Sequence, residues 1–314
     1  MDDSVTTPGD RARRGGGEIP GARGRRAFTI SRRAPSPIPV LVAVPHAGRI
    51  YPQSLLSRMR EPERAGLRLE DRYADLLAVK VAERTGAVLI VANAPRAMID
   101  LNRAPAEMDW EMVAEGRPAG LMQPRSGRRA RGGLGLVPRR LQGIGDIWKD
   151  RISRAELEER LAAIHAPYHA ALAAELAALR VRWGCALLVD LHSMPPLGGD
   201  KGGRAPADFV IGDRFGSSCA GSLCASAFDY FASCGRRAAH NRPYAGGYVL
   251  DRHAAPSRGL HGMQIEVCRS AYLDEGLQEP GEAFEQTAEL LAGLVRQLAD
   301  EMASLGQAFR QAAE

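Results

Sequence analysis

"ALLVDLHSMPP", residues 186–196, decides how the rest of the chain is read. Ala186 to Val189 form an apolar run of the kind shown by a strand covered on both faces. The run stops at Asp190, and His192 and Ser193 follow at once. In open α/β sheets ligands gather beyond the carboxyl ends of the strands, so an acid, an imidazole and a hydroxyl at that point are candidates for chemistry. A histidine there can equally be a hydrogen-bonded core residue, and the flanking segments have to decide.

Working outward, the same pattern recurs. "AVLIVANAP" (87–95) is a continuous β-branched run, the strand-like "RAMIDLNR" (96–103) follows it, and Pro37 to Val44 reads as a strand running into "PHAG". Between them, residues 68–85 repeat apolar positions at helical spacing, with Gly86 where a C-terminal cap belongs. A second helix opens at Ser153 with a capping box to Glu156, and Pro167 should kink or divide it. "ADFVIGD", a small-residue helix through residues 217–233, "GGYVLDRHA", "HGMQIEVCRSAYLD" and a terminal helix from about Gly281 complete the alternation. Strands alternating with helices imply an α/β fold, a single domain with a mixed, mostly parallel sheet and helices on both faces.

Composition narrows the class. Of 314 residues, 45% are hydrophobic and 25% charged, which fits an ordinary globular core. No window approaches the run of about 18 apolar residues that a membrane helix needs. Residues 1–35 hold eight Arg and four acids and so supply +4 of the formal +5, leaving 36–314 near neutral. A nucleic-acid-binding body would need a clustered positive face on the folded part. The Arg-rich stretch 1–35 reads as a disordered tail, the only place where nucleic acid could be held. Five cysteines (Cys185, Cys219, Cys224, Cys234, Cys268) show no C-x-x-C spacing, as expected of reduced thiols in a cytoplasmic protein. Residues 104–150, with "RSGRRARGGLGLVPRR" (125–140) at their centre, are too long for an idle connection.

Three polar clusters sit just after apolar runs: His46 in "PHAG", Asp100 to Arg103, and Asp190 to Ser193. A fourth group, Glu266, is a carboxylate inside an apolar strand, where burial is costly without a partner and raises its pKa toward the range useful for proton transfer. Two histidines, several acids and an arginine at strand ends are what a mononuclear zinc hydrolase requires. Asp190, two residues before His192, points to the same side of the strand and can orient it.

Five segments in order, "VPHAGRIYP", "APRAMIDLNRAP", "LLVDLHSMPP", "AGGYVLDRHA" and "MQIEVCRSAYLD", resemble the N-formylglutamate amidohydrolase family over about residues 35–300, a family in turn similar to the zinc carboxypeptidases. The resemblance implies a zinc-carboxypeptidase-like (phosphorylase/hydrolase-like) catalytic domain over 36–314 and one bound zinc ion. It makes His46 and His192 metal ligands. Arg49 stands where the carboxypeptidases have a ligand glutamate, so the third ligand comes from an acid near the next helix: Asp71 is preferred, with Glu70 and Asp75 as alternatives. Asn102 and Arg103 correspond to a pair that holds a substrate carboxylate, which the planar fork of Arg103 suits; otherwise Arg103 pairs with Asp100. Glu266 matches the catalytic glutamate, or is neutralised structurally by Arg269. Arg103 is a further candidate for stabilising the oxyanion. Arg139 after "VP" is a candidate for a substrate acid group, and His253 or His261 for a hydrogen bond to substrate, each with a plain structural alternative. His165 and His169 read as structural. The implied activity is zinc-dependent hydrolysis of N-formyl-L-glutamate or a similar small N-acyl amino acid; the alternatives are carboxypeptidase-like hydrolysis of short peptides and a non-catalytic metal-binding module.

Overall fold

The strand read at 186–196 lies at the centre of an eight-stranded sheet. The structure, a computed structural model, describes residues 11–118, 132–198 and 206–311, with the backbone alone for 308–311. Part of the Arg-rich loop therefore lies outside the described residues, as do residues 1–10.

In chain order the strands are β1 (Ala12–Gly16), β2 (Phe28–Arg32), β3 (Val40–Val44), β4 (Val88–Ala92), the two-residue β5 (Arg140–Leu141) and β6 (Gly145–Asp146), β7 (Ala186–Met194), β8 (Phe209–Gly212), β9 (Ala238–His240) and β10 (Leu260–Cys268). The large sheet runs β1-β2-β4-β3-β7-β10-β8-β9. Its middle four strands, β4-β3-β7-β10, are mutually parallel, while β1, β2 and β8 pair antiparallel to their inner neighbours. The helices are α1 (Gln53–Leu56), α2 (Pro62–Leu69), α3 (Ala74–Thr85), α4 (Arg154–Arg160), α5 (Ala166–Trp183), α6 (Gly221–Ser233), α7 (Tyr248–His253) and α8 (Phe284–Gln311). None of the described helices is long and apolar enough to cross a membrane.

Side-chain alternation divides the core into two layers. Leu41, Ala43, Ala186 and Leu188 pack with Leu172 and Leu176 of α5 on one face. Val40, Val42, Leu187, Val189, Leu191, Met263 and Ile265 pack with α3, α6 and α8 on the other. The sheet is thus covered on both sides, as the continuous apolar runs require. The same parity turns Asp190, His192, Gln264 and Glu266 toward the α5 side.

Three expectations need correction. Residues 11–35 are not a disordered tail: β1 and β2 extend the sheet, and Ile19 and Ala27 are buried. The arginines that made this stretch look solvated have partners, since Arg14 and Arg32 both pair with the buried Glu175 of α5 (2.6 and 3.0 Å) and Arg11 donates to the carbonyls of Ala82 and Ala87. Residues 96–103 form turns instead of a strand, because β4 is already bonded to β2 on one side and β3 on the other. The helix read over 68–85 breaks at Glu70–Tyr73, where Tyr73 adopts a left-handed conformation (φ 56°) before α3 begins. "GGYVLDRHA", to which no element was assigned from its sequence, contains a short helix, α7.

Other local readings hold. Gly86 caps α3 with φ 80°, and Ser153 and Glu156 form the reciprocal capping box, an arrangement worth about 1 kcal/mol. Pro167 divides its helix through a π turn over Leu161–His165. Proline has no N–H to offer the carbonyl four residues back. That carbonyl, Ala163 O, instead accepts from Glu18 N–H (3.1 Å), so the interruption helps to dock the N-terminal segment.

Candidate active site

The parallel strands β3, β7 and β10 deliver their chemistry to one edge of the sheet. His46 follows β3 after Pro45, Asp190 and His192 alternate on β7, and Glu266 sits directly across from His192 in the β7–β10 register. Asp71 lies on the broken segment between α2 and α3, where its N–H donates to His46 O (2.9 Å). The helix break is therefore the feature that aims the carboxylate.

Both histidines are clamped through Nε2. His46 Nε2 bonds Asp100 Oδ1 at 2.7 Å, and His192 Nε2 bonds Asp190 Oδ2 at 2.9 Å. Each ring is thereby turned so that Nδ1 faces Asp71 Oδ2, at 3.6 Å for His46 and 3.0 Å for His192. His46 Nδ1 is buried with no hydrogen-bond partner. One donor atom from each of the three residues lies within 4.8 Å of the other two. An unpartnered buried nitrogen facing a second imidazole nitrogen and a carboxylate oxygen is the donor set that zinc prefers, each imidazole carrying a carboxylate on its far nitrogen. The residues present fit such an ion.

The charges around this point are fixed by contact. Burial pushes Asp100 upward, but Arg96 (Nε to Oδ2, 2.9 Å) and His46 outweigh it and hold the carboxyl well below the usual range. Burial opposes charge on His192 as well, yet Asp190 and Asp71 raise its pKa well above the ordinary value. Asp71 is lowered against its own desolvation by the two histidines. Its second oxygen accepts from Ser193 Oγ (3.2 Å), which in turn accepts from Arg269 Nε (3.1 Å). Arg269 also donates to the carbonyls of Leu67 and Glu70, the backbone groups that the helix break leaves without helical partners. Arg269 is thus engaged with the Asp71 segment, away from the neutralising role considered for it beside Glu266.

Glu266 lies beside the histidines, buried, with Oε1 accepting from Gln264 Nε2 at 2.9 Å. Burial, reinforced by Asp71, pushes its pKa up to about 7 against the pull of His192 and Arg96. The group can therefore exchange a proton near neutral pH. Of the other acids considered as the third ligand, Glu70 faces Arg72 (3.4 Å), and Asp75 makes a two-pronged pair with Arg49 (3.0 and 2.7 Å). Neither joins the His46–Asp71–His192 group.

The group opens into a cavity of about 380 Å³, within the range of small-molecule pockets. Asn102 and Arg103 line it together with Arg68, Arg96 and Tyr244. Asn102 Nδ2 lies 3.3 Å from His192 Nε2, while its Oδ1 accepts from Val249 N–H (2.9 Å) at the start of α7. Arg103 Nε donates to Leu134 O at 3.0 Å, and its charge helps Arg96, the direct ion-pair partner, to hold the Asp100 carboxyl down.

Two candidates lie elsewhere. Arg139 is drawn to the loop's own acids, pairing with Asp109 (2.7 Å) and Glu111 (3.3 Å), and does not line the cavity. His253 is buried behind the site, with Nε2 2.9 Å from His169 Nδ1. His169 Nε2 and His165 Nε2 donate to the carbonyls of Leu101 and Arg103, at 3.0 and 2.9 Å, so this histidine group holds the backbone that carries Asn102 and Arg103. His261 Nδ1 accepts from Ala220 N–H at the head of α6. Sequence reasoning missed Arg96, Gln264 and the Ser193–Arg269 pair. The available signal was spacing: Gln264 is two residues from Glu266 on one strand face, and Arg96 is four from Asp100.

Comparison with known proteins agrees with this construction. N-formylglutamate deformylase of Pseudomonas aeruginosa is 28% identical over 278 residues, covering 86% of this chain and 94% of the relative. The enzyme of the same name from Pseudomonas putida is 28% identical over 282 residues, with the same shares of each chain covered. The crystal structure of N-formylglutamate amidohydrolase from Ralstonia eutropha JMP134 superposes with a TM-score of 0.76 at 28% identity, covering 91% of this chain and 99% of that one. Residues 38–273, which carry every member of the two-histidine, Asp71 and Glu266 group, match the sequence model of one family, and the chain belongs to it: the N-formylglutamate amidohydrolases.

Proposed function

We propose that this chain is a zinc-dependent amidohydrolase that cleaves N-formyl-L-glutamate, or a similar small N-acyl amino acid, to formate (or the corresponding acid) and the free amino acid. The observation that supports it most is the convergence of one donor atom each from His46, Asp71 and His192 within 4.8 Å, with Glu266 alongside. The names of the two Pseudomonas relatives and of the Ralstonia structure support the choice of substrate. The five cysteines are all free, which supports the cytoplasmic setting expected from their spacing.

His46, Asp71 and His192 would hold the ion. When bound, zinc supplies Lewis-acid polarisation of the acyl carbonyl and makes water more acidic. Glu266 takes a proton from the attacking water as its oxygen bonds to the acyl carbon, and returns that proton to the nitrogen as the C–N bond breaks. Arg103, with Asn102, receives a carboxylate of the substrate, and its charge lowers the cost of negative charge developing on the former carbonyl oxygen. Asp100 and Asp190 keep the two imidazoles in the tautomer that leaves Nδ1 free to bind.

The test is formate release from N-formyl-L-glutamate by the purified chain, with and without chelator, beside N-acetyl-glutamate and a short peptide. Glu266→Gln should retain zinc and lose about 10²–10⁴ in kcat, whereas His192→Ala should lose both zinc and turnover. Near wild-type turnover in Glu266→Gln would overturn the assignment of the base. Faster cleavage of the peptide than of either acyl glutamate would favour the carboxypeptidase-like alternative.

A further inference from the structure

A second group of metal-binding side chains lies away from this cavity. Asp213 follows β8, Cys224 lies in the first turns of α6, and His240 ends β9. One donor atom from each falls within 4.8 Å of the other two. Because β8 runs antiparallel to β10, with Gly212 across from Gln264 and Val210 across from Glu266, the carboxyl end of β8 points away from the catalytic edge. β9 runs parallel to β8, so His240 reaches the same far edge.

The Asp213 carboxylate is held like a ligand. Asn241 Nδ2 (2.7 Å) and Gly216 N–H (3.0 Å) donate to Oδ1, and Asn241 Oδ1 accepts from Asp213 N–H (3.0 Å), which locks the side chain to both loops. The remaining contacts are His240 Nε2 at 3.1 Å from Oδ1 and the Cys224 thiol at 3.2 Å from Oδ2. The Cys224 thiol, which also meets Cys219, and the His240 imidazole both face the Asp213 carboxylate, and their hydrogens are the ones that a cation would replace. Asp213 and Cys224 are buried, while the His240 side chain is 47% exposed and leaves a path for an ion to enter.

We propose that Asp213, Cys224 and His240 form a second, structural site for a thiophilic divalent ion such as zinc. A thiolate, an imidazole and a carboxylate suit zinc and disfavour calcium or magnesium, which take oxygen donors. Binding releases the thiol proton to solvent and moves the His240 proton from Nε2 to Nδ1, so one proton leaves per ion if the imidazole starts neutral. Three protein donors leave one position for water. The ion would clamp β9, a three-residue edge strand, to β8 and to α6.

Cobalt distinguishes this site from the catalytic one, whose donor set contains no sulfur. The chelator-stripped full chain is titrated with Co²⁺ while its near-ultraviolet absorption is recorded. Two equivalents should bind, and only the Asp213 site should produce a thiolate-to-cobalt charge-transfer band. Cys224→Ser should abolish the band and one equivalent. His240→Gln, on a half-exposed side chain that folding tolerates, should weaken that equivalent at least about tenfold. His46→Ala should remove the other equivalent and leave the band, which separates failure of the catalytic reading from failure of this one. Absence of the band at two added equivalents, or its persistence in Cys224→Ser, would overturn the proposal.

Discussion

At the scale of single residues, the site depends on side chains that act through its metal-binding carboxylate. Arg269 illustrates how far that support extends: it bonds Ser193, which bonds Asp71, and it holds two carbonyls of the segment on which Asp71 rides. Arg269→Met should lower zinc affinity by about 10–100-fold, measured by competition with a chromophoric chelator. At saturating zinc kcat should recover to within a few-fold, because Arg269 acts through Asp71. Unchanged affinity would mean that Asp71 is aimed by its backbone alone. Asp190, His192 and Glu266 were legible because strand periodicity fixes which way they face, whereas His46, in the loop after β3, was read from its place in the "PHAG" cluster and the family resemblance. Arg139 and His253 were not, since a loop or short-helix position has no such rule and its direction is set by partners distant in sequence, Asp109 and His169.

At the scale of elements, the readings that failed were those in which a tertiary demand overrode a local pattern. The periodicity of residues 68–85 is helical, yet continuing the helix through 70–73 would carry Asp71 around its surface instead of toward the histidines. The Arg-rich N-terminal stretch has the composition of a solvated tail, and only the buried Glu175 on α5, invisible as a partner in sequence, turns Arg14 and Arg32 into cross-links. Removing residues 1–35 therefore takes away two strands and leaves the β4 edge and the Glu175 carboxylate uncovered. The truncated chain should aggregate on expression, as unpaired edges do, or melt well below the full chain. Equal melting temperatures by circular dichroism would show that β1 and β2 contribute nothing.

At the scale of the whole molecule, the alternation of strands and helices was enough for the fold class but not for strand order, which depends on crossovers that no local pattern records. Strand order brings His165, His169 and His253 together from two helices beneath the catalytic edge, and their burial makes stability depend on pH. Burial is the main cause that lowers His253 to about 4 and His169 to about 2, from 6.5. The folded chain therefore keeps both neutral where the unfolded chain binds protons, so this stability is complete above 6.5 and is lost as pH falls toward the folded values. For His253 the loss at about pH 5 is on the order of 2 kcal/mol. His192 acts in the opposite sense, since its raised pKa adds stability as pH falls, and the total pH profile mixes the two. Comparing the wild type with His253→Gln cancels that mixture: glutamine can still donate to His169 Nδ1 but does not titrate. The unfolding free energy, from urea denaturation near neutral pH and at about pH 5, should fall less in the variant, by about 2 kcal/mol. If both proteins lose the same stability between the two conditions, His253 titrates in the folded state much as it does in the unfolded chain, and the histidine group is wetter than its burial implies.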